Sequence, residues 1–191
     1  VSDVFAYSSN VGTSKIIKNC FEKNPGKFIE RIYNLNLHEK LGLEIKGEGG
    51  PVIKDPSDTS WSGLTLPWMS IGYEVKLTPM QILTVYNAIA NNGIMVKPML
   101  TKALKYNGEI IKEFKPKVIN PSICSKETLQ ALRIMLEKVV EIGTAKNLCS
   151  APYKIAGKTG TAQIARGKYG YRDENAKKTY RASFVGYFPA D

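Results

Sequence analysis

The sequence predicts an α+β fold in which helices pack on an antiparallel sheet, and three observations predict it. Two segments carry strong amphipathic-helix signals, the middle of the chain loses its periodicity, and apolar strand-like runs gather at the end. The 191 residues are 43% hydrophobic and 23% charged, enough apolar material for one core and for a single domain over residues 1–191.

Taken in order, Val11–Cys20 and Lys27–Tyr33 read as helices parted by the breaker Asn24-Pro25-Gly26. From Gly42 to Met69 the Gly, Pro, Ser and Asp content predicts an irregular loop, pinned to the body of the domain by burial of Trp61 and Trp68. The best-signalled helix starts at Thr78: its hydroxyl can cap, Pro79 suits the first helical position, and Gln81 completes a capping box. Ile82, Val85, Tyr86 and Ile89 then share one face, which is expected to meet the core, and Asn92-Gly93 supplies the stop. The stretch Met95–Ile119, punctuated by Asn107-Gly108, predicts a small hairpin. A second helix is capped by Ser125, buries Leu129, Leu132, Leu136, Val139 and Val140, and ends at Gly143. Strand-like runs follow at Tyr153–Ile164 and Ala182–Phe188.

The formal net charge of +10 invites a polyanionic partner. The densest basic run, Arg166 to Arg181, interleaves Arg166, Lys168, Arg172, Lys177, Lys178 and Arg181 with Tyr169, Tyr171 and Tyr180, as a nucleic-acid groove can. It lies between two strands and contains Gly167, Gly170 and Asn175, so a long exposed connection explains it more simply. Cys20, Cys124 and Cys149 are odd in number and lack ligand spacing, so they predict neither a disulfide framework nor a zinc site. The lone His38 lies in a polar stretch and reads as a surface residue. No window reaches the roughly 18 apolar residues of a membrane span, and no signal peptide opens the chain. The start at Val1 and the stop at Asp191, just after a strand-like run, predict a soluble piece excised from a longer protein.

The chemistry-bearing segment is Lys158-Thr159-Gly160-Thr161, a strand with a cation beside a position that has no side chain. Gly157-Lys158-Thr159 also matches the end of a phosphate-binding loop. That loop needs a glycine where Pro152 stands, and a helix where Thr161-Ala162-Gln163-Ile164 follows. At the other end of the chain, Ser8-Ser9-Asn10 precedes a helix. Taken alone, serine and asparagine there read as helix caps; facing a cleft, they could serve as a proton shuttle and a substrate donor.

Together these segments resemble the penicillin-binding proteins, whose site is built from Ser-x-x-Lys, Ser-x-Asn and Lys-Thr-Gly elements. Ser8-Ser9-Asn10 is similar to the second element and Lys158-Thr159-Gly160-Thr161-Ala162 to the third. Ile71-Gly72-Tyr73, Leu77-Thr78-Pro79-Met80-Gln81, Ile89-Ala90-Asn91-Asn92-Gly93, Val139-Val140-Glu141 with Gly143-Thr144-Ala145, and Phe184-Val185-Gly186-Tyr187-Phe188-Pro189-Ala190 match in the same order. The pattern resembles class B monofunctional D,D-transpeptidases, nearest the septal type, with the elongation type as the alternative.

The resemblance implies the serine β-lactamase and D,D-transpeptidase fold, here incomplete at both ends, and peptidoglycan crosslinking through D-Ala-D-Ala stem peptides. It also implies β-lactams as ligands, divisome proteins as partners, no nucleic acid, no cofactor and no metal. The catalytic domain is expected on the periplasmic face of the inner membrane, held by an N-terminal anchor in the missing portion. Ser8 would relay a proton to the leaving amine and Asn10 would hydrogen-bond the substrate amide. Lys158 would tune Ser8 and attract the terminal carboxylate, which the Thr159 and Thr161 hydroxyls would bind. The Thr161 N–H would supply half an oxyanion hole, and Gly160 would let the substrate lie along the strand.

One element is missing. No serine stands three positions before a lysine: Lys15 is preceded at that distance by Gly12, Lys126 by Ile123 and Lys154 by Ala151. Truncation is the expected reason, and this piece alone is expected to be inactive. The alternatives are a basic module for an anionic polymer, which a salt-dependent nucleic-acid shift would favour, and a homologue that lost catalysis.

Overall fold

Local chemistry sets the helix boundaries in the computed structural model, which describes residues 1–165, 170–172 and 177–190. A short helix α1 (Ser2–Ala6), not foreseen from periodicity, opens the chain. Helix α2 (Asn10–Phe21) begins where the Ser9 hydroxyl accepts the Gly12 N–H at 3.2 Å, and α3 (Gly26–Asn34) follows Pro25. The segment expected to be irregular contains strand β1 (Val52–Ile53) and helix α4 (Thr65–Met69), with β2 (Val75–Lys76) just beyond. Trp68 does not pin it by burial. It is 42% exposed, with its ring 5.0 Å from that of Tyr73, while Thr65, Leu66 and Met69 are the residues of α4 that sink into the protein. Trp61 is only partly buried.

Helix α5 (Pro79–Ala90) carries the expected capping box at Thr78 and Gln81. Of the expected face, Ile89 is buried and Val85 and Tyr86 pack against the core, but Ile82 is 38% exposed, and the buried side also takes in Gln81, Thr84 and Ala88. The polar side chains can go inside because they are satisfied there. Gln81 Nε2 donates to the carbonyls of Leu37 (3.3 Å) and Glu39 (2.9 Å), Gln81 Oε1 accepts the Thr78 N–H at 2.9 Å, and Thr84 Oγ1 donates to Met80 O at 2.7 Å.

Strand β3 (Met95–Val96) leads to the hairpin of β4 (Ala103–Tyr106) and β5 (Glu109–Glu113), whose turn residues Asn107 (φ 49°) and Gly108 (φ 87°) have the left-handed backbone that a two-residue hairpin requires. Strand β6 (Val118–Asn120) returns to pair with β3. Helix α6 (Lys126–Glu141) is capped by the Ser125 hydroxyl and buries Leu129, Leu136, Val139 and Val140, with Leu132 partly covered. After a single 3₁₀ turn at Lys146–Leu148, β7 (Ala156–Gln163) and β8 (Tyr180–Tyr187) form a long antiparallel ribbon.

Helix α6 is the spine of the molecule, in contact with α1, α5 and β7, while α5 also packs on β8. Ile89, Leu129, Leu136 and Ala156 form one buried cluster, and Val139, Val140 and Ala145 a second. Phe5 of α1 packs against both, so the residues just before Ser8 are wedged between the two halves of the core. His38 is exposed with its ring stacked on Tyr33 at 4.4 Å, and the three cysteines are free thiols. Of the basic run, Arg166, Lys168 and Tyr169 lie outside the described residues, as do Asp173 and Glu174; Tyr171, Arg172, Lys177 and Lys178 are exposed.

Candidate active site

Strand register decides which atoms of β7 face outward. Lys158 pairs with Val185 and Gly160 with Ser183, and the Ile164 N–H donates to Thr179 O at 3.0 Å, which continues the same register. In an antiparallel ladder the residues of hydrogen-bonded pairs turn N–H and C=O toward the partner, and the residues between them turn both groups away. The even-numbered residues of β7 therefore bond to β8. Thr159 and Thr161 present their N–H and C=O at the free edge.

Across that edge stands the junction of α1 and α2. Lys158 Nζ donates to Ser8 Oγ at 2.8 Å and to its neighbour Thr159 O at 3.0 Å, with the Phe5 ring centroid 5.9 Å away. The Lys158–Ser8 contact joins residues 150 positions apart in sequence. Ser8 occupies left-handed backbone at φ 53°, a conformation uncommon for a serine and one that tends to persist where surrounding contacts hold it. Those contacts are visible. The Ser8 N–H donates to Phe5 O (3.1 Å), the Ser9 N–H to Val4 O (2.9 Å), and α1 is tied to α6 by the Asp3–Lys138 ion pair at 2.8 Å. Because Ser9 takes the capping role, the Ser8 hydroxyl is left for Lys158.

Lys158 is half-buried, and burial, which penalises its charged form, draws its ammonium below the usual lysine pKa. Asn10, the first residue of α2 and two positions after Ser8, is exposed, and Thr161 is exposed two residues beyond Thr159. Thr159 is engaged already: its Oγ1 lies within hydrogen-bonding distance of Thr144 Oγ1. Gly160 has a structural reason of its own, because a Cβ there would sit 2.7 Å from Ser183 Oγ, the hydroxyl that donates weakly to Gly160 O at 3.4 Å. The bare position is filled from within the ribbon.

The structure thus brings Ser8, Lys158 and Thr159 into one constellation, with Asn10 and Thr161 at its margins. Sequence reasoning missed Phe5 and Thr144. The signal for Thr144 was its place in Gly143-Thr144-Ala145, and for Phe5 there was none, since α1 itself was unseen. Among the described residues there is no cluster of three or more metal-ligating side chains, and no helix is long and apolar enough to cross a membrane.

Comparison with known proteins places this geometry in context. A family model for the penicillin-binding protein transpeptidase domain matches residues 1–191. Penicillin-binding protein PbpB of Mycolicibacterium smegmatis is 32% identical, over 98% of this chain and 29% of that protein. Peptidoglycan D,D-transpeptidase FtsI of Buchnera aphidicola is 28% identical over 98% of this chain and 30% of that protein. The chain therefore spans under a third of the length of these relatives. Among solved structures, penicillin-binding protein 3 of Mycobacterium tuberculosis, complexed with aztreonam, superposes with a TM-score of 0.82 at 31% identity, covering 100% of this chain and 42% of that one. Penicillin-binding protein 2B of Streptococcus pneumoniae shares the fold, with a TM-score of 0.81 at 19% identity, over 100% of this chain and 33% of that one.

Proposed function

The chain belongs to the penicillin-binding protein transpeptidase family, and on that premise we propose that it forms one wall of the active site of a serine-type peptidoglycan D,D-transpeptidase. The observation that carries this is the 2.8 Å contact from Lys158 to Ser8 beside the free edge of β7, which unites the two motifs that flank a transpeptidase cleft.

The mechanism follows from what each group can do. A serine hydroxyl attacks the carbonyl between the two D-Ala residues of a stem peptide, and the developing oxyanion takes a hydrogen bond from the outward Thr161 N–H. Collapse breaks the amide bond. The departing D-Ala nitrogen receives a proton through the Ser8 hydroxyl, which Lys158 holds and polarises. An amine from a neighbouring strand then attacks the acyl ester, forms the crosslink and returns the proton to the serine. Lys158 and the hydroxyls of Thr159 and Thr161 receive the terminal carboxylate, and Asn10 receives the substrate amide.

A β-lactam ring opens along the same path. Its amine stays tethered to the acyl group, so the ester persists. The attacking serine is supplied from outside these 191 residues, because none of their serines stands three before a lysine. We assign the parent protein to the extracytoplasmic face of the cell membrane and to septal wall synthesis with divisome partners, on the pattern resemblance and on the likeness to PbpB and FtsI.

The test is labelling with a fluorescent penicillin. The full-length protein is expected to be labelled covalently, Lys158→Ala to lose labelling by about 100-fold or more, and the 191 residues by themselves to stay unlabelled. A folded full-length protein that takes no label overturns the assignment, and a labelled 191-residue chain overturns the external nucleophile.

A further inference from the structure

The turn Gly143-Thr144-Ala145 is where the two walls of the cleft meet. The Thr144 N–H donates to Ala6 O at 3.2 Å, two residues before Ser8, while its Oγ1 meets Thr159 Oγ1 on β7. One residue thus touches both walls through different atoms. Its neighbours fix it there. A Cβ on Gly143 would lie 2.3 Å from Ala6 O, so this approach needs glycine, and Ala145 is buried in the second core cluster.

A hydroxyl has one proton to donate and lone pairs to accept with, so only one proton lies between the oxygens of Thr144 and Thr159. If Thr159 supplied it, Thr159 would present only lone pairs to the cleft and would repel a carboxylate. If Thr144 supplies it, the Thr159 proton is free to turn outward, and a bound anion polarises both bonds in the same sense. We propose that Thr144 is a positioning residue that donates to Thr159 Oγ1 and so aims the Thr159 proton at the substrate carboxylate. This role rests on the transpeptidase assignment above, since it needs an anionic group to be recognised at that point of β7.

The experiment uses the full-length protein and separates initial binding of a penicillin from the limiting rate of acylation. Thr144→Val keeps the β-branched shape and removes the proton. It is expected to raise the dissociation constant of the initial complex about five- to tenfold, the usual size for one lost hydrogen bond, with the limiting rate held within about twofold. Thr144→Ser is expected to restore wild-type binding. The methyl ester of the same penicillin, which lacks the carboxylate, is expected to bind the wild type and Thr144→Val alike. An unchanged dissociation constant for the acid, an equal loss for acid and ester, or no rescue by serine each overturns the role. A wild-type protein that is labelled, and a Lys158→Ala variant that is not, keep the transpeptidase assignment standing whichever way Thr144 behaves.

Discussion

Lys158 carries a charge that burial makes costly, and that cost has a sign. Its pKa in the folded protein lies below the 10.5 of an exposed lysine, so over the interval between the two values the unfolded chain binds more protons and stability rises with pH. In the role proposed for Lys158, binding of a carboxylate moves the other way: it needs the ammonium, and is expected to weaken as pH climbs through the lowered pKa. The alkaline limb of β-lactam affinity in the full-length protein is therefore expected to begin below 10.5. Lys158→Arg, which stays protonated, is expected to carry no such limb in a pH titration of the initial complex. Gln81 makes the matching point inside the fold. Gln81→Leu leaves the carbonyls of Leu37 and Glu39 without their donor and is expected to cost about 1–3 kcal/mol in a urea melt. Ile82→Ala, on the exposed side of the same helix, is expected to cost no more than about 1 kcal/mol. Equal losses would contradict the observed facing of α5.

At the scale of elements, α1 and β7 are brought together by a third party. Helix α1 is only Ser2–Ala6, too short to hold itself, and it is fastened by Asp3 to Lys138, by Ala6 O to the Thr144 N–H, and by Phe5 to both core clusters. The tightest of these approaches is at Gly143. Gly143→Ala drives a methyl group into a backbone carbonyl that cannot rotate aside, and is expected to destabilise the protein by about 1–3 kcal/mol. The larger effect is expected on labelling by penicillin, because displacing Ala6 displaces Ser8. A Gly143→Ala protein with wild-type melting and wild-type labelling would show that α1 is not set by this turn. The β7–β8 ribbon has a similar internal fit, with Gly160 bare over Ser183 and Gly157 bare beneath Phe184, where a Cβ would meet the ring at 2.4 Å.

Over the whole molecule, the core and the site share supports. Leu136 is 1% exposed and belongs to the cluster that joins α5, α6 and β7, so Leu136→Ala is expected to cost about 2–5 kcal/mol in thermal or chemical denaturation. Labelling by penicillin is expected to fall with it, since α6 carries both β7 and the anchor of α1. At the cleft itself, Lys158 is the cation in contact with Ser8.

Much of the fold was legible because it rests on local chemistry. The caps at Ser9, Thr78 and Ser125 start helices wherever the chain lies, and Asn107-Gly108 turns a hairpin through its own backbone preference. The motifs around Ser8 and Lys158 were likewise readable as short strings of suitable side chains. Other features follow from neighbours distant in sequence. The burial of Gln81 depends on carbonyls more than 40 residues away, and α1 has too few residues to announce itself by periodicity. The sequence by itself determined the α+β class, the starts of α2, α3, α5 and α6, and the short motifs around Ser8 and Lys158. Tertiary structure alone decided that Lys158 reaches Ser8, that Ser183 fills the space beside Gly160, and that Thr144 stands between the two walls, because each is a contact between segments that only packing brings together.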